Sequence, residues 1–404
     1  MDYGFGSQRW QNQSDSCVFL PLGPCLIFGG CPMGSGRGKR EKKVNIPNIN
    51  NLLLLGDNYN MGVNHSTLNF GATTTGPTTD SQILLINRQG DGSLNWTLWS
   101  TASWIQADPT SGKGSGVVDV WANPTGLGPG SYSGQIFISD PSANNSPLTV
   151  DVSYKVYGTG STMGPMGGFD TPVDGLTVSG SIAVTGWALD DVGVWTVKIY
   201  CGDSVASATY IGDANLVEGA RPDIEAAYPG YPNNYKAGWG FTMLTNLLPG
   251  GGNGTFYIIV KATDMEGIES NLGTKTIICD NANAVKPFGA IDTPQQGGTA
   301  SGKNFVNSGW VLTPQPNSIP TDGSTINVYV DDKFVGHPTY NVYREDIKSL
   351  FPDYANSNGA GAYFYLDTTA YTNGVHTIQW TATDSGNNTD GIGSRYFTIQ
   401  NAGE

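Results

Sequence analysis

Charge is what this sequence lacks most. Charged residues make up 13% of its 404 positions, against about a quarter in an ordinary globular chain. Asn, Ser, Thr and Gly must therefore cover most of the surface, a composition that fits an extracellular protein. Basic residues are scarcer still: 20 Lys and Arg stand against 34 Asp and Glu, a net charge of -14. Five of those 20 fall between Arg37 and Lys43, a run that reads as a solvated segment. Phosphate neutralisation needs clustered cations, so no nucleic-acid partner is expected.

Histidine is almost missing. His65, His337 and His376 are the three in the chain, too few and too scattered for a metal or acid–base cluster. HExxH, the P-loop, a GxGxxG beside a β-α unit and the GxSxG elbow are all absent from the sequence, and no enzyme is expected. Long apolar runs are missing too. Residues 17–31 are apolar, but Pro21, Gly23, Pro24, Gly29 and Gly30 interrupt them and the stretch is too short to span a bilayer, so no transmembrane segment is expected. No ordinary secretory signal is visible either, which leaves the export route of a secreted or cell-surface protein unassigned.

The cysteines number five. Cys201 and Cys279 each end a predicted strand of one domain and could form a disulfide if those strands are neighbours. Cys17, Cys25 and Cys31 make the total odd, so one thiol is free, bonded to another chain, or modified.

What the chain does have is turn and strand chemistry: 56 Gly and 23 Pro beside 19 Tyr and 10 Trp. It also has a duplication. Phe169-Asp170-Thr171-Pro172 answers Phe288 and Ile291-Asp292-Thr293-Pro294, Gly186-Trp187 answers Gly309-Trp310, and Arg221-Pro222-Asp223 answers Arg344-Glu345-Asp346. Tyr228-Pro229 answers Phe351-Pro352, and Ala262-Thr263-Asp264 answers Ala382-Thr383-Asp384. The offset stays between 119 and 123 residues, long enough for each copy to enclose a core of its own, as beads on a string. The expected fold class is all-β: tandem immunoglobulin-like sandwiches behind a mostly irregular N-terminal arm.

The expected domains follow. Residues 1–60 form the arm, extended or poorly ordered, in which Val44, Ile46, Leu52, Leu53, Leu54 and Leu55 could add a strand to a sheet edge, its own or that of a second copy. Residues 64–157 alternate apolar and polar positions in short runs, the sandwich signature. This stretch resembles the BACON family of bacterial immunoglobulin-like domains through Leu68-Asn69-Phe70, Ile86-Asn87, Trp96, Ser103-Trp104-Ile105, Pro109 to Gly112, Val118 to Asn123 and Gly130 to Gly134. The resemblance implies a sandwich of seven or eight strands, often appended to secreted glycoside hydrolases or surface proteins and suspected of binding carbohydrate or mucin. After a linker over 158–168 come the repeats, 169–280 and 288–401. They resemble immunoglobulin-like repeats of bacterial surface proteins that carry a GWALDD strand, here Gly186 to Asp191. The second copy departs from it at Thr313-Pro314. A short helix ended by proline is predicted over Arg221 to Tyr228 and over Arg344 to Phe351.

Candidate chemistry is sparse. Asp190, Asp191, Asp264, Glu266, Asp384 and Asp390 are oxygen ligands that Ca²⁺, the one cofactor considered, could use, set against ordinary turn chemistry. Arg221 with Asp223 and Arg344 with Asp346 read as structural ion pairs, forks holding the inter-strand segment to the sheet. Trp99, Trp121, Tyr231 and Tyr235 could stack on glycan rings or merely close the ends of the sandwiches, and His376, in the place of Phe256, reads as a partly buried structural residue. The expected function is non-catalytic: a structural or adhesive surface protein that assembles with itself through the arm. The alternative is a carbohydrate-binding protein or an accessory set of modules of a glycan-degrading system.

Overall fold

A computed structural model describes residues 58–401. The arm residues Val44 to Leu55 and Cys17, Cys25 and Cys31 lie outside them.

The first domain has nine strands: β1 Asn58–Val63, β2 Thr67–Thr73, β3 Gln82–Asp91, β4 Asn95–Ser100, β5 Ile105–Asp108, β6 Ser111–Lys113, β7 Gly116–Ala122, β8 Gly130–Ser139 and β9 Leu148–Tyr157. They make two sheets, ordered β1-β3-β7-β5 and β2-β9-β8-β4-β6. The period of two in the sequence decides which side chains meet between the sheets. On β7, Val118, Val120 and Ala122 point inward while Val117, Asp119 and Trp121 face out. On β4, Trp96 and Leu98 are buried and Trp99 is exposed. Leu68, Phe70, Trp96, Trp104, Ile136, Val150 and Tyr154 share the core.

The first repeat contains β10 Met166–Thr171, β11 Leu176–Val178, β12 Ser181–Leu189, β13 Val194–Gly202, β14 Thr209–Val217, β15 Gly238–Leu244, β16 Asn253–Asp264 and β17 Glu269–Asp280. The strand order is β10-β12-β15-β14-β13-β16-β17-β11. β14 belongs to both faces, pairing with β13 through Ala214 and with β15 from Asn215 onward. The second repeat has β18 Phe288–Thr293, β19 Gly298–Ala300, β20 Phe305–Leu312, β21 Ile326–Val330, β22 Lys333–Gly336, β23 Thr339–Val342, β24 Gly361–Leu366, β25 Gly374–Thr383 and β26 Thr389–Ile399. β22 pairs with β21 and β23 with β24, so the two together take the place of β14. Pro338 falls between them, and without an N–H it cannot continue the ladder. The helices Pro222–Ala227 and Glu345–Leu350 sit where the sequence put them, each stopped before a proline.

The cores of the repeats differ by an exchange. Trp239 on β15 lies opposite Gly186, and Ala362 on β24 lies opposite Gly309. On the facing sheet, Val260 and Trp380 are the equivalent pair, each opposite a glycine, Gly273 or Gly393. At this place in the core each repeat thus holds one indole, supplied by opposite sheets. In both cases the ring lies against the glycine of the Gly-Trp motif: a Cβ at Gly186 would strike the Trp239 indole, and one at Gly309 would crowd Trp380 and strike the Ala290 carbonyl.

The expected disulfide does not form. Cys201 and Cys279 are buried free thiols, because β16 runs between β13 and β17. Two strand spacings alone separate their backbones by about 10 Å, and Cys201 lies opposite Ile258 while Cys279 lies opposite Gly254, further along β16; a disulfide bridges only roughly 7 Å.

Each domain encloses a core of its own, and the domains also touch through specific bonds. Asn69 Nδ2 donates to the Pro229 carbonyl (2.9 Å) and Thr79 Oγ1 to the Val192 carbonyl (2.5 Å). Ser181 Oγ donates to the Gly289 carbonyl (2.6 Å), and Leu244 joins the cluster of Phe288, Trp310 and Phe351. In the linker, Gly164 lies against Ile268 and Ser270.

Candidate functional site

The recurring Arg–Asp pairs are forks with three arms. Arg221 Nε and Nη2 donate to the two oxygens of Asp223 (2.8 and 2.7 Å), and Nη1 donates to Asp170 Oδ2 (2.5 Å). Arg344 repeats this with Asp346 (2.8 and 2.6 Å) and Asp292 (2.5 Å). Each fork ties the start of a helix to the first strand of its repeat. Sequence reasoning missed Asp170 and Asp292 as partners, although both stand in the Asp-Thr-Pro motif used to align the copies. The guanidinium hydrogen bonds hold the Asp223 and Asp346 carboxyls below the usual carboxylate range.

A denser group of charge lies at one end of the first repeat. β12 ends at Leu189 and hands over to Asp190-Asp191; β16 ends at Asp264, with Glu266 in the turn to β17. Antiparallel pairing of β13 with β16 sets Val194 opposite Asp264, which brings the two loops to the same end. One ligand oxygen each from Asp190, Asp264 and Glu266 lies within 4.8 Å of the others. Asp190 Oδ1 accepts from the amides of Val192 and Gly193 (both 2.8 Å), and Asp264 Oδ1 accepts from Ile268 (2.7 Å). Asp190 Oδ2, Asp264 Oδ2 and Asp191 Oδ1 are buried with no donor. Burial pushes the Asp190 carboxyl up to about 7, against the two amides and with help from Asp191 and Asp264. Burial likewise raises Asp191 and Glu266. Three oxygen donors gathered without a donor of their own can hold a divalent cation such as Ca²⁺.

The first domain reaches this group through Lys155 and Tyr157 at the end of β9, which sequence reasoning did not associate with it. Burial, followed by Asp191, pushes the Tyr157 hydroxyl up to about 12, and Lys155 favours the ionised form of Asp191.

Asp384 and Asp390, grouped with these acids in the sequence, do not join them. Asp384 takes the place of Asp264 in the second repeat, where Thr313 Oγ1 and Asn317 Nδ2 donate to its Oδ2 (2.8 and 3.0 Å). The amides of Gly386 and Asn388 donate to Oδ1 (both 2.9 Å). Burial raises the Asp384 carboxyl, but these bonds outweigh it and hold it below its ordinary value. Asp390 is exposed, 3.7 Å from Lys286.

The aromatic candidates separate. Trp99 (48% exposed) and Trp121 (38%) stand on the outer faces of different sheets of the first domain and cannot meet on one sugar. Trp99 stacks beside Phe137 with ring centroids 5.6 Å apart. Tyr231 packs edge-on against Tyr228, which stacks on Trp187. Tyr235 is corrected outright: only 5% exposed, it lies 3.9 Å from the His65 ring of the first domain. That contact borders a cleft of about 340 Å³ lined by all three domains, including Asn64, Gln89, Glu218 and Asn373.

His376 is half buried, as a structural histidine should be. Nδ1 faces Asp331 Oδ2 (2.7 Å) and Nε2 faces the Thr372 carbonyl (2.8 Å), two acceptors that suit the doubly protonated ring. Burial pushes its pKa down, but Asp331 and Thr372 outweigh burial and raise it. Asp331, raised by burial and lowered more by His376 and the Thr377 amide, ends below its usual value. The pair therefore stabilises the second repeat fully below the unfolded histidine value of about 6.5 and loses this as pH rises through the raised folded value. At the acid end it weakens as pH falls through the depressed Asp331 value. Urea midpoints measured from pH 5 to 9 should fall on the alkaline side, and His376→Gln should remove the part of that slope that belongs to the second repeat, leaving the part that the raised Asp190 carboxyl gives the first.

No helix among the described residues is long and apolar enough to cross a membrane. Residues 60–153 match a family profile described as Viral BACON domain. No curated protein matches the chain. Among solved structures, it is similar to the fibronectin(III)-like modules of CbhA from Clostridium thermocellum: 15% identity, 59% of this chain, 95% of that one, TM-score 0.20. It is also similar to a GH5 xyloglucanase of Bacteroides ovatus, at 17% identity and TM-score 0.20, over 30% of this chain and only 27% of that enzyme. Dimeric latent PorU from Porphyromonas gingivalis aligns at 8% identity and TM-score 0.34, over 85% of this chain and 34% of that protein. The chain carries a BACON-like β-sandwich over 60–153 followed by further immunoglobulin-like β-sandwich domains.

Proposed function

We propose that this protein is a non-catalytic structural or adhesive component displayed outside the cell, with its sandwiches held in a set arrangement by their joints. The observation that carries this reading is where its polar chemistry goes. Both arginine forks close on their own repeat, His376 closes on Asp331, and the joints are made of buried directional bonds such as Thr79 to Val192. The repeats are read as the GWALDD type of bacterial surface proteins. The matched family is described as viral, so display on a virus particle is a second form of this reading beside the cell surface. Self-assembly would run by strand addition from the arm. A receiving edge is at hand in β22, which ends its sheet with Phe334 exposed.

Light scattering on the full chain over a concentration series tests this. Oligomers that disappear when residues 1–56 are removed are the expected result; a monomer at every concentration overturns assembly through the arm. A second reading, glycan binding, is favoured by the exposed Trp99–Phe137 platform. A glycan screen in which Trp99→Ala abolishes binding would select it.

A further inference from the structure

We propose that Asp190, Asp191, Asp264 and Glu266 bind one divalent cation, best matched by Ca²⁺, and that the ion fixes the joint between the BACON-like domain and the first repeat. An acidic cluster alone would not carry this. Asp190 and Asp264 are only 3% and 1% exposed, each has a buried oxygen without a donor, and an oxygen of each lies within 4.8 Å of the other and of Glu266. A buried carboxylate oxygen needs a hydrogen bond, a proton or a cation.

The chain contains its own comparison. At the same place in the second repeat, Thr313 stands for Asp190, Pro314 for Asp191 and Gly386 for Glu266, and the longer turn adds Asn317. There the shared aspartate, Asp384, has donors on both oxygens. One fold position thus has neutral donors on both oxygens in one copy and on one oxygen alone in the other, where Ile268 reaches Oδ1, Oδ2 has none, and three further carboxylates stand nearby. The donor set is all oxygen and comes from two loops, with no His or Cys. That favours Ca²⁺ over zinc or other transition metals.

The same loop docks the neighbouring domain. Met163 of the linker donates its amide to Asp191 Oδ2 (3.1 Å), and Thr79 donates to the carbonyl of Val192. Gly71 on β2 comes so close to the Asp191 carbonyl that a Cβ there would collide with it. Lys155 and Tyr157 on β9 are close enough to interact electrostatically with these acids. Without a cation, like charges push this loop apart; with one, the loop and everything seated on it are held. The inference goes beyond the display role and does not depend on assembly.

Isothermal titration of CaCl₂ into the full chain, stripped with chelator, is the test. One ion per chain is expected, with Kd in the range of about 10⁻⁵ to 10⁻³ M. Amide exchange over 158–168 and 190–193 should slow about tenfold in saturating Ca²⁺ as local opening is suppressed. Asp190→Thr, which copies the second repeat, should abolish both effects; Glu266→Gly, copying Gly386, serves if that variant does not fold. No uptake by the wild-type chain overturns the site, and so does uptake that survives in folded variants. Uptake with unchanged exchange at the joint overturns the coupling.

Discussion

Replacing Trp239 with Ala should remove about 3–5 kcal/mol from the first repeat, the usual range for deleting a buried indole. That is a large share of the roughly 5–15 kcal/mol that holds a domain together. Val260→Trp alone should also destabilise, by about 1–3 kcal/mol, because the ring space is already filled. Combined, the two should not add. The second repeat places Ala362 and Trp380 in these positions, so the double variant copies a packing that the fold is known to accept. A favourable coupling of about 2–3 kcal/mol is expected, near the upper end for residues that share one space. The equivalent of Val184 in the second repeat is Asn307, whose Oδ1 accepts from Trp380 Nε1 (2.7 Å); Trp239 Nε1 has no such partner. Adding Val184→Asn should therefore restore more. Urea midpoints of the four chains check the series, and strict additivity would refute the exchange.

Arg395→Ala should be nearly as damaging to the second repeat. Arg395 is 2% exposed; its guanidinium donates to the carbonyls of Ser394 and Ile291. Burial pushes it down to about 10, opposed by Asp292, which leaves it charged at neutral pH. Removing one side of a buried charged network costs about 3–5 kcal/mol, here through the stranded carbonyls, the cavity and the loss of a counter-charge for Asp292. Arg395→Lys should cost much less. The first repeat has Lys275 at this position, and its Nζ donates to the carbonyls of Asp170 (2.5 Å) and Pro172 (2.7 Å). Chemical denaturation with amide exchange, to localise the loss to 288–401, would test this. Equal losses for Ala and Lys would mean that the planar guanidinium fork, which an ammonium does not reproduce, sets the stability rather than volume or donation in general.

Both predictions come from setting one copy beside the other, and the same comparison separates what was legible early from what was not. The strands were legible because a half-buried strand needs side chains alternating with period two, and Val118, Val120 and Ala122 or Val197, Ile199 and Cys201 show that period directly. The short helices were legible because Arg221 and Arg344 open them and a proline closes each. The ion pairs within a loop, Arg221 with Asp223 and Arg344 with Asp346, were legible because their partners are two residues apart.

Contacts that cross the fold were not. Strand order decides whether Cys201 and Cys279 can meet, and periodicity is blind to it; β16 came between them. Asp170 was visible as a motif but not as the third arm of the fork, because 51 residues separate it from Arg221. Tyr235 is a residue type that stacks on ligands, but it is buried, with His65 of the first domain against its ring.

The sequence by itself determined three all-β units, two of them copies, and the residue types available in each loop, since propensity, alternation and turn chemistry act between near neighbours. Only the tertiary structure decided which acids converge. Asp190 and Asp264 stand 74 residues apart and meet because antiparallel pairing of β13 and β16 brings their loops to one end. Asp384, which shares the Ala-Thr-Asp run but not the residues after it, lies among donors instead: Thr313 and Asn317, the latter on the longer turn, reach one oxygen, and the amides of Gly386 and Asn388 reach the other.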